Sequence, residues 1–248
     1  MESPLLSVHR ALGAKLGDFA GWLMALEYPE PIGGGTLIEH AAVREHVGLF
    51  DVSHLGKISI RGSGAKAWAN EIFTNDLNRI VAGQAQYSLL CNQEGGTIDD
   101  VIIYCHSENE LLVIPNASNA QTVFGTLVGN NSQNFELENM HENFGVIALQ
   151  GPDSAKVLDA LGLYKKLEYM SFTQVEFVGK KVTLCRTGYS GEHGYELLPP
   201  RDSVEALWDE LSREVLLSGG KLAGLGARDT LRTEMGYPLH CLLYTSPS

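Results

Sequence analysis

Between Gln86 and Pro115 the chain places three apolar, β-prone runs in quick succession: Gln86–Cys91, Ile98–Cys105 and Leu111–Pro115. A parallel crossover needs a dozen or more residues, and neither connection is that long. Both connections, Asn92-Gln-Glu-Gly-Gly96 and Ser107-Glu-Asn-Glu110, are turn chemistry. This stretch is therefore predicted to be an antiparallel meander. Around it, Lys57-Ile-Ser-Ile-Arg61 alternates like a half-buried strand, while Gly64–Phe73 and Ala120–Val128 carry helical spacing. Elsewhere strands and helices do not alternate regularly, which argues against a doubly wound parallel sheet. The expected class is α+β.

Three regions follow one another without a clear linker. The first runs to about Val52 and holds Asp18-Phe-Ala-Gly-Trp22, a Pro-Glu-Pro-Ile-Gly-Gly-Gly loop and a helical stretch from Leu37 to Val47 that closes at Gly48. The second is the meander with its helices, about Ser53 to Asn139. The third opens with Val146-Ile-Ala-Leu149 and a helix from Gly151-Pro152 to Leu161, where proline suits the first helical turn. A hairpin over Gln174–Cys185 turning at Gly179 comes next, then a strand at Gly194–Leu198. An amphipathic helix over Asp202–Leu217 and a shorter helix over Gly226–Met235 complete it.

Composition removes several functions. The 248 residues are 44% hydrophobic and 19% charged, an ordinary globular balance. Thirty acidic against 18 basic residues leave a net charge of −12. With no Lys/Arg run, the chain offers nucleic acid no positive footprint. No stretch of about 18 consecutive apolar residues would span a membrane, and Met-Glu-Ser-Pro does not open a signal peptide. Cys91, Cys105, Cys185 and Cys241 form no Cys-x-x-Cys pair and the histidines no metal spacing, so neither a metal site nor a membrane partner is expected. A reducing compartment fits these cysteines.

Three groups of residues could carry chemistry. Asp99 and Asp100 interrupt an apolar strand, and neighbours on a strand face opposite ways, so one carboxylate must point inward. Desolvating it costs several kcal/mol unless donors or a ligand meet it. One bland reading has that aspartate bonding turn amides beyond Gly95-Gly96; the sharper one has the pair acting on a ligand. The segment Arg186-Thr-Gly-Tyr-Ser-Gly-Glu-His-Gly-Tyr-Glu196 packs glycines, tyrosines and glutamates into a loop that is either shaped around a ligand or simply a glycine-rich hairpin. Arg228 sits near a helix N-terminus, where the helix dipole disfavours a cation. It asks for an anion, either a ligand or a salt bridge to Asp229 or Glu234.

Several motifs occur in one order: Leu12-Gly-Ala-Lys with Asp18-Phe-Ala-Gly-Trp22, Phe50-Asp-Val-Ser-His-Leu-Gly56, Gly95-Gly-Thr-Ile-Asp-Asp100, Leu149-Gln-Gly-Pro152, Arg186-Thr-Gly-Tyr-Ser-Gly-Glu192 and Gly224-Leu-Gly-Ala-Arg-Asp-Thr-Leu-Arg232. Together they closely resemble the aminomethyltransferases, the T-proteins of the glycine cleavage system, over about residues 4 to 240. The Gly-Leu-Gly-Ala-Arg-Asp run is the most specific of them. Leu23-Met24-Ala25 lacks a proline that the family carries there.

The resemblance implies two intertwined mixed α/β lobes with mainly antiparallel sheets, one of about 1–52 plus 140–240 and the other of about 53–139. It implies transfer of a C1 unit from the aminomethyl-dihydrolipoyl arm of an H-protein partner to tetrahydrofolate, with release of ammonia. Asp100 takes the place of the family's key carboxylate, Glu196 of its pterin-binding glutamate and Arg228 of a folate-binding arginine. Tyr87, Tyr104, Asn116, Tyr169, Tyr189 and Tyr237 fall where the family lines its folate cavity, with Leu55 standing where methionine is common. The implied location is the bacterial cytoplasm, or the mitochondrial matrix for a mature eukaryotic chain. Sibling readings are a folate-dependent demethylase, the folate-binding half of a sarcosine or dimethylglycine oxidoreductase, or a non-catalytic folate-binding protein of iron–sulfur maturation. The likeness stops at His240. Residues 241–248 are expected to be a non-native tail, the family's C-terminal β-barrel domain to be absent, and the chain to be weakly active or inactive.

Overall fold

A computed structural model describes residues 1–239; the expected tail, 241–248, lies outside the described residues. Helix α1 (Leu6–Ala11) leads into a hairpin of β1 (Lys15–Phe19) and β2 (Trp22–Glu27), followed by α2 (Thr36–Glu45) and β3 (Gly48–Asp51). Then come β4 (Ile58–Arg61), α3 (Ala65–Ile72), β5 (Gln84–Cys91), β6 (Thr97–Ser107), β7 (Glu110–Ile114), α4 (Ala120–Gly129) and β8 (Glu136–Asn139). The chain continues through β9 (Ile147–Gln150), α5 (Ser154–Ala160), β10 (Phe172–Phe177), β11 (Lys180–Cys185) and β12 (Gly194–Leu198). It closes with α6 (Val204–Leu217), the two-residue β13 (Lys221–Leu222) and α7 (Leu225–Glu234). The architecture is α+β with mainly antiparallel sheets.

Two units divide these elements. The first takes 1–54, 143–169 and 173–237, so its chain leaves and returns; the second is built from 55–142 and 170–172. In the second unit the meander forms as its turns demand, within a five-stranded sheet ordered β5-β6-β7-β4-β8. Alternation along β6 buries Asp99, Val101, Ile103 and Cys105 on one side. That side packs with Trp68 and Ala69 of α3 and Val123 and Leu127 of α4, all buried.

The first unit holds the β1–β2 hairpin and a six-stranded sheet ordered β10-β11-β12-β9-β3-β13. One pair in that sheet, β13 with β3, is parallel. Helix α6 presents Val204, Leu207, Trp208, Leu211 and Val215 to the core at the 3.6-residue spacing, and all five are buried. The segment read from sequence as a helix closing at Gly48 divides differently. Helix α2 stops at Glu45, and Gly48–Asp51 pairs as a strand with β9 and β13.

Beneath that sheet lies a buried polar knot. The Asp51 carboxylate accepts hydrogen bonds from Ser3 Oγ and the Ser53 amide, and pairs with His9 Nε2 at 2.9 Å. His9 Nδ1 meets the Tyr28 hydroxyl at 2.9 Å. Burial works against the Asp51 charge, but His9, Ser3 and Ser53 outweigh it and hold the carboxyl down to about 2 against its ordinary 3.8. A depressed carboxyl stabilises the fold above its unfolded pKa, and that contribution is lost as pH falls from about 4 toward about 2. It is worth about 2 kcal/mol. Asp51→Asn is therefore expected to cost about 2 kcal/mol at neutral pH in urea unfolding and to flatten the acid limb of the stability profile. An unchanged acid limb would show that Asp51 does not anchor this knot.

Candidate active site

In the second unit, the site begins with the split between Asp99 and Asp100. Asp99 is fully buried, and its donors come from the segment after β7. The Asn116 amide donates to Oδ2 at 2.9 Å, while Asn116 Nδ2 and Asn119 Nδ2 donate to Oδ1 at 3.0 and 3.1 Å. The inward carboxylate fastens the start of α4. Asp100 faces the other side and stays partly exposed. Asn116 Nδ2 donates to Asp100 Oδ1 at 2.9 Å and to its carbonyl at 3.0 Å, and the Tyr87 hydroxyl donates to Oδ2 at 3.3 Å. Asn116 therefore links the two aspartates, one structural and one presented to solvent.

Tyr87 lies opposite Ile102 on β5 and is 41% exposed, whereas Tyr104 is buried edge-on against Phe172 at 5.4 Å. Tyr104 thus serves the packing of this unit with most of its ring. Leu55 is half-buried in the loop after β3.

In the first unit, the group is organised by α7. Its start is tied down by Glu39 of α2, a buried carboxylate that accepts the Gly224 and Tyr28 amides at 2.9 and 2.6 Å. Glycine is required at 224 because a side chain there would overlap the backbone of Leu26. One turn into α7, Arg228 lays its guanidinium over the Tyr189 ring at 4.7 Å, a cation–π contact. Tyr189 in turn stacks with Tyr237 at 5.7 Å and 27°.

Neither of the salt-bridge partners considered for Arg228 is available. Asp229 binds Arg232 at 2.6 Å, and Glu234 is engaged by Arg44 at 2.5 Å and His40 at 3.3 Å. Burial lowers the Arg228 pKa, against which the nearby Glu196 carboxylate and Tyr189 act to raise it. Among the described residues no side chain hydrogen-bonds its guanidinium. Thr187 Oγ1 donates to Glu196 Oε2 at 2.5 Å, leaving Oε1 without a donor among the described residues. Tyr169 is 67% exposed, with Arg186 over its ring at 6.0 Å.

A half-paired carboxylate beside a cation with free donors and an aromatic stack can grip a flat heterocycle that carries both a donor edge and an acceptor. The sequence missed the supporting residues Glu39, Arg44 and Asn119. Glu39 and Arg44 lie on α2 and reach partners 146 to 190 residues further along the chain, so no local pattern marks them.

Comparison with known proteins agrees in direction. The family model described as the GCVT N-terminal domain matches residues 5–241. The aminomethyltransferase of Mycolicibacterium paratuberculosis is 50% identical over 240 residues, 97% of this chain and 64% of that protein. The aminomethyltransferase of Frankia alni is 50% identical over 239 residues, 96% of this chain and 65% of that protein. A crystal structure of glycine cleavage system aminomethyltransferase T from Bartonella henselae superposes with a TM-score of 0.87 at 34% identity, covering 96% of this chain and 63% of that one. The heterotetrameric sarcosine oxidase of Corynebacterium sp. U-96, at 16% identity and a TM-score of 0.53, shares the fold. The chain thus spans slightly under two thirds of the length of the curated relatives it matches.

Proposed function

The chain belongs to the GCVT N-terminal domain family, and from that premise we propose that it carries the folate-binding and catalytic residues of a tetrahydrofolate-dependent aminomethyltransferase. In this reading the C1 unit arrives as an aminomethyl group on the dihydrolipoyl arm of H-protein. The folate nitrogen attacks its carbon, ammonia leaves, and displacement of the sulfur by the second folate nitrogen gives 5,10-methylenetetrahydrofolate. The observation that carries the proposal is the nearness of Glu196, with one carboxylate oxygen open, to Arg228, whose carboxylate neighbours in sequence, Asp229 and Glu234, are bound elsewhere.

Each residue then has a role that follows from its chemistry. The pterin 2-amino group and adjacent ring N–H form a two-donor edge, which the Glu196 carboxylate meets as it would a guanidinium. Arg228 supplies donors and positive charge to the oxygen-bearing side of the same ring, while Tyr189 and Tyr237 offer aromatic faces. Asp100, held by Asn116 and Tyr87, orients the folate and accepts the proton that its nucleophilic nitrogen sheds on forming the new C–N bond. Asn116, Tyr87 and Leu55 are the further folate contacts assigned to the second unit, and Tyr169 the one assigned to the first.

The direct test is calorimetric titration with tetrahydrofolate. Micromolar binding is expected, both by this chain and by a version extended to the length of its relatives. Absence of heat in both would overturn the proposal.

A further inference from the structure

We infer that Gln150 is the positioning residue of the pterin-reading carboxylate, setting Glu196 through a side-chain amide threaded between two glycines. The inference rests on the folate reading above and adds a residue to it.

Gln150 ends β9 and pairs across its backbone with Gly48 on one side and Gly194 on the other. Its side chain is 2% exposed, so an unsatisfied amide there would be costly. Every polar atom is used. Nε2 donates to the Thr187 and Tyr195 carbonyls, each at 3.2 Å, and Oε1 accepts from Ser190 Oγ at 2.7 Å. Thr187 and Ser190 lie on the segment that joins β11 to β12, while Tyr195 is the second residue of β12 and pairs with Leu149.

Glycine at 188 and 194 follows from this amide. A methyl group built on Gly188 would overlap Gln150 Oε1, and one built on Gly194 would overlap Gln150 Nε2. Two of the loop's three glycines are therefore the imprint of a buried glutamine, while Gly191 has a positive φ and faces Met235. From the opposite side, Arg44 Nη1 donates to the Ser190 carbonyl at 2.7 Å, so residue 190 is held by its hydroxyl from within and by its carbonyl from without.

The link to the site is Thr187. Its carbonyl accepts from Gln150, and its hydroxyl donates to Glu196 Oε2. Tyr195, the other carbonyl acceptor, immediately precedes Glu196. Gln150 thus fixes the backbone at the residue before Glu196 and at the residue that clamps its carboxylate, without reaching the ligand itself.

The test compares two ligands: tetrahydrofolate, and its analogue with a methyl group in place of the pterin 2-amino group. The analogue lacks one of the two donors that Glu196 reads and keeps the ring N–H. The wild-type chain, extended to the length of its relatives, is expected to prefer tetrahydrofolate by about tenfold or more, the worth of a charge-assisted hydrogen bond. Gln150→Met is expected to lose most of that preference, weakening tetrahydrofolate by about tenfold and the analogue by less than about twofold.

Equal loss on both ligands, or no loss, would make Gln150 a scaffold residue only and overturn the inference while leaving the folate reading intact. A wild-type protein with no preference would overturn the pterin assignment of Glu196 and this inference with it. Should Gln150→Met fail to fold, Gly188→Ala, whose methyl displaces the amide without removing it, is expected to give the same selective loss. Equal loss there overturns the inference as well.

Discussion

Asp100→Asn, in the chain extended to the length of its relatives, is expected to lower turnover by about 10²–10⁴-fold while changing tetrahydrofolate affinity by less than about threefold. The substitution keeps the shape and one acceptor oxygen for Asn116 Nδ2, while its new amide NH2 faces the Tyr87 hydroxyl, which can accept from it. What it removes is the charge, and with it the capacity to take a proton from the folate nitrogen as the C–N bond forms. An interaction that matters only in the transition state leaves binding nearly untouched, so the split between the two measurements is the informative quantity. Steady-state rates with aminomethyl-loaded H-protein, set beside calorimetric dissociation constants, give both. Equal losses would reassign Asp100 to ground-state binding.

The second large effect concerns the donor edge of the pterin. Glu196→Gln is expected to weaken tetrahydrofolate by on the order of 10- to 100-fold, as a charge-assisted hydrogen bond of roughly 1.5–3 kcal/mol requires. Glutamine presents an amide NH2 where a second acceptor oxygen is wanted, so the two-donor pterin edge meets one acceptor and one competing donor. The change also removes the negative charge that favours Arg228 in its cationic form, a charge that burial otherwise disfavours. Arg228→Met should therefore lose comparable affinity. The double variant should lose less than the sum, because the two groups share one ligand and one local field. Unchanged affinity in Glu196→Gln would remove the pterin assignment.

Some of this was legible in the sequence because it is local. The meander over Gln86–Pro115 follows from turn residues sitting between β-prone runs, and α6 from its apolar spacing. The opposed facing of Asp99 and Asp100 follows from the pleat alone. What local pattern cannot supply is who meets whom across the chain. The four residues of β3, just past the helical stretch that closes at Gly48, carry no strand signal of their own because their strand character lies in partners at 147–150 and 221–222. The hairpin of β1 and β2 turns at Ala20-Gly21, inside an aromatic stretch that carries no strong turn signal, and β8 offers only Glu-Leu-Glu-Asn. Arg228 shows the same limit in the site. From spacing, Asp229 and Glu234 were equally good partners, and only the arrival of Arg44 and the pairing of Arg232 remove them.

The placement of β3 also bears on how the protein is made. The strand Gly48–Asp51 leaves the ribosome well before β9, its antiparallel neighbour, and longer still before β13, its parallel one. At elongation rates of roughly 5–20 residues per second, the apolar Leu49 and Phe50 wait several seconds or more for their sheet. The intervening 55–142 can meanwhile complete all five strands of its own sheet from contiguous chain. Nascent-chain order is thus inverted: the inserted segment matures first, and the segment synthesised earliest is the last to be sealed.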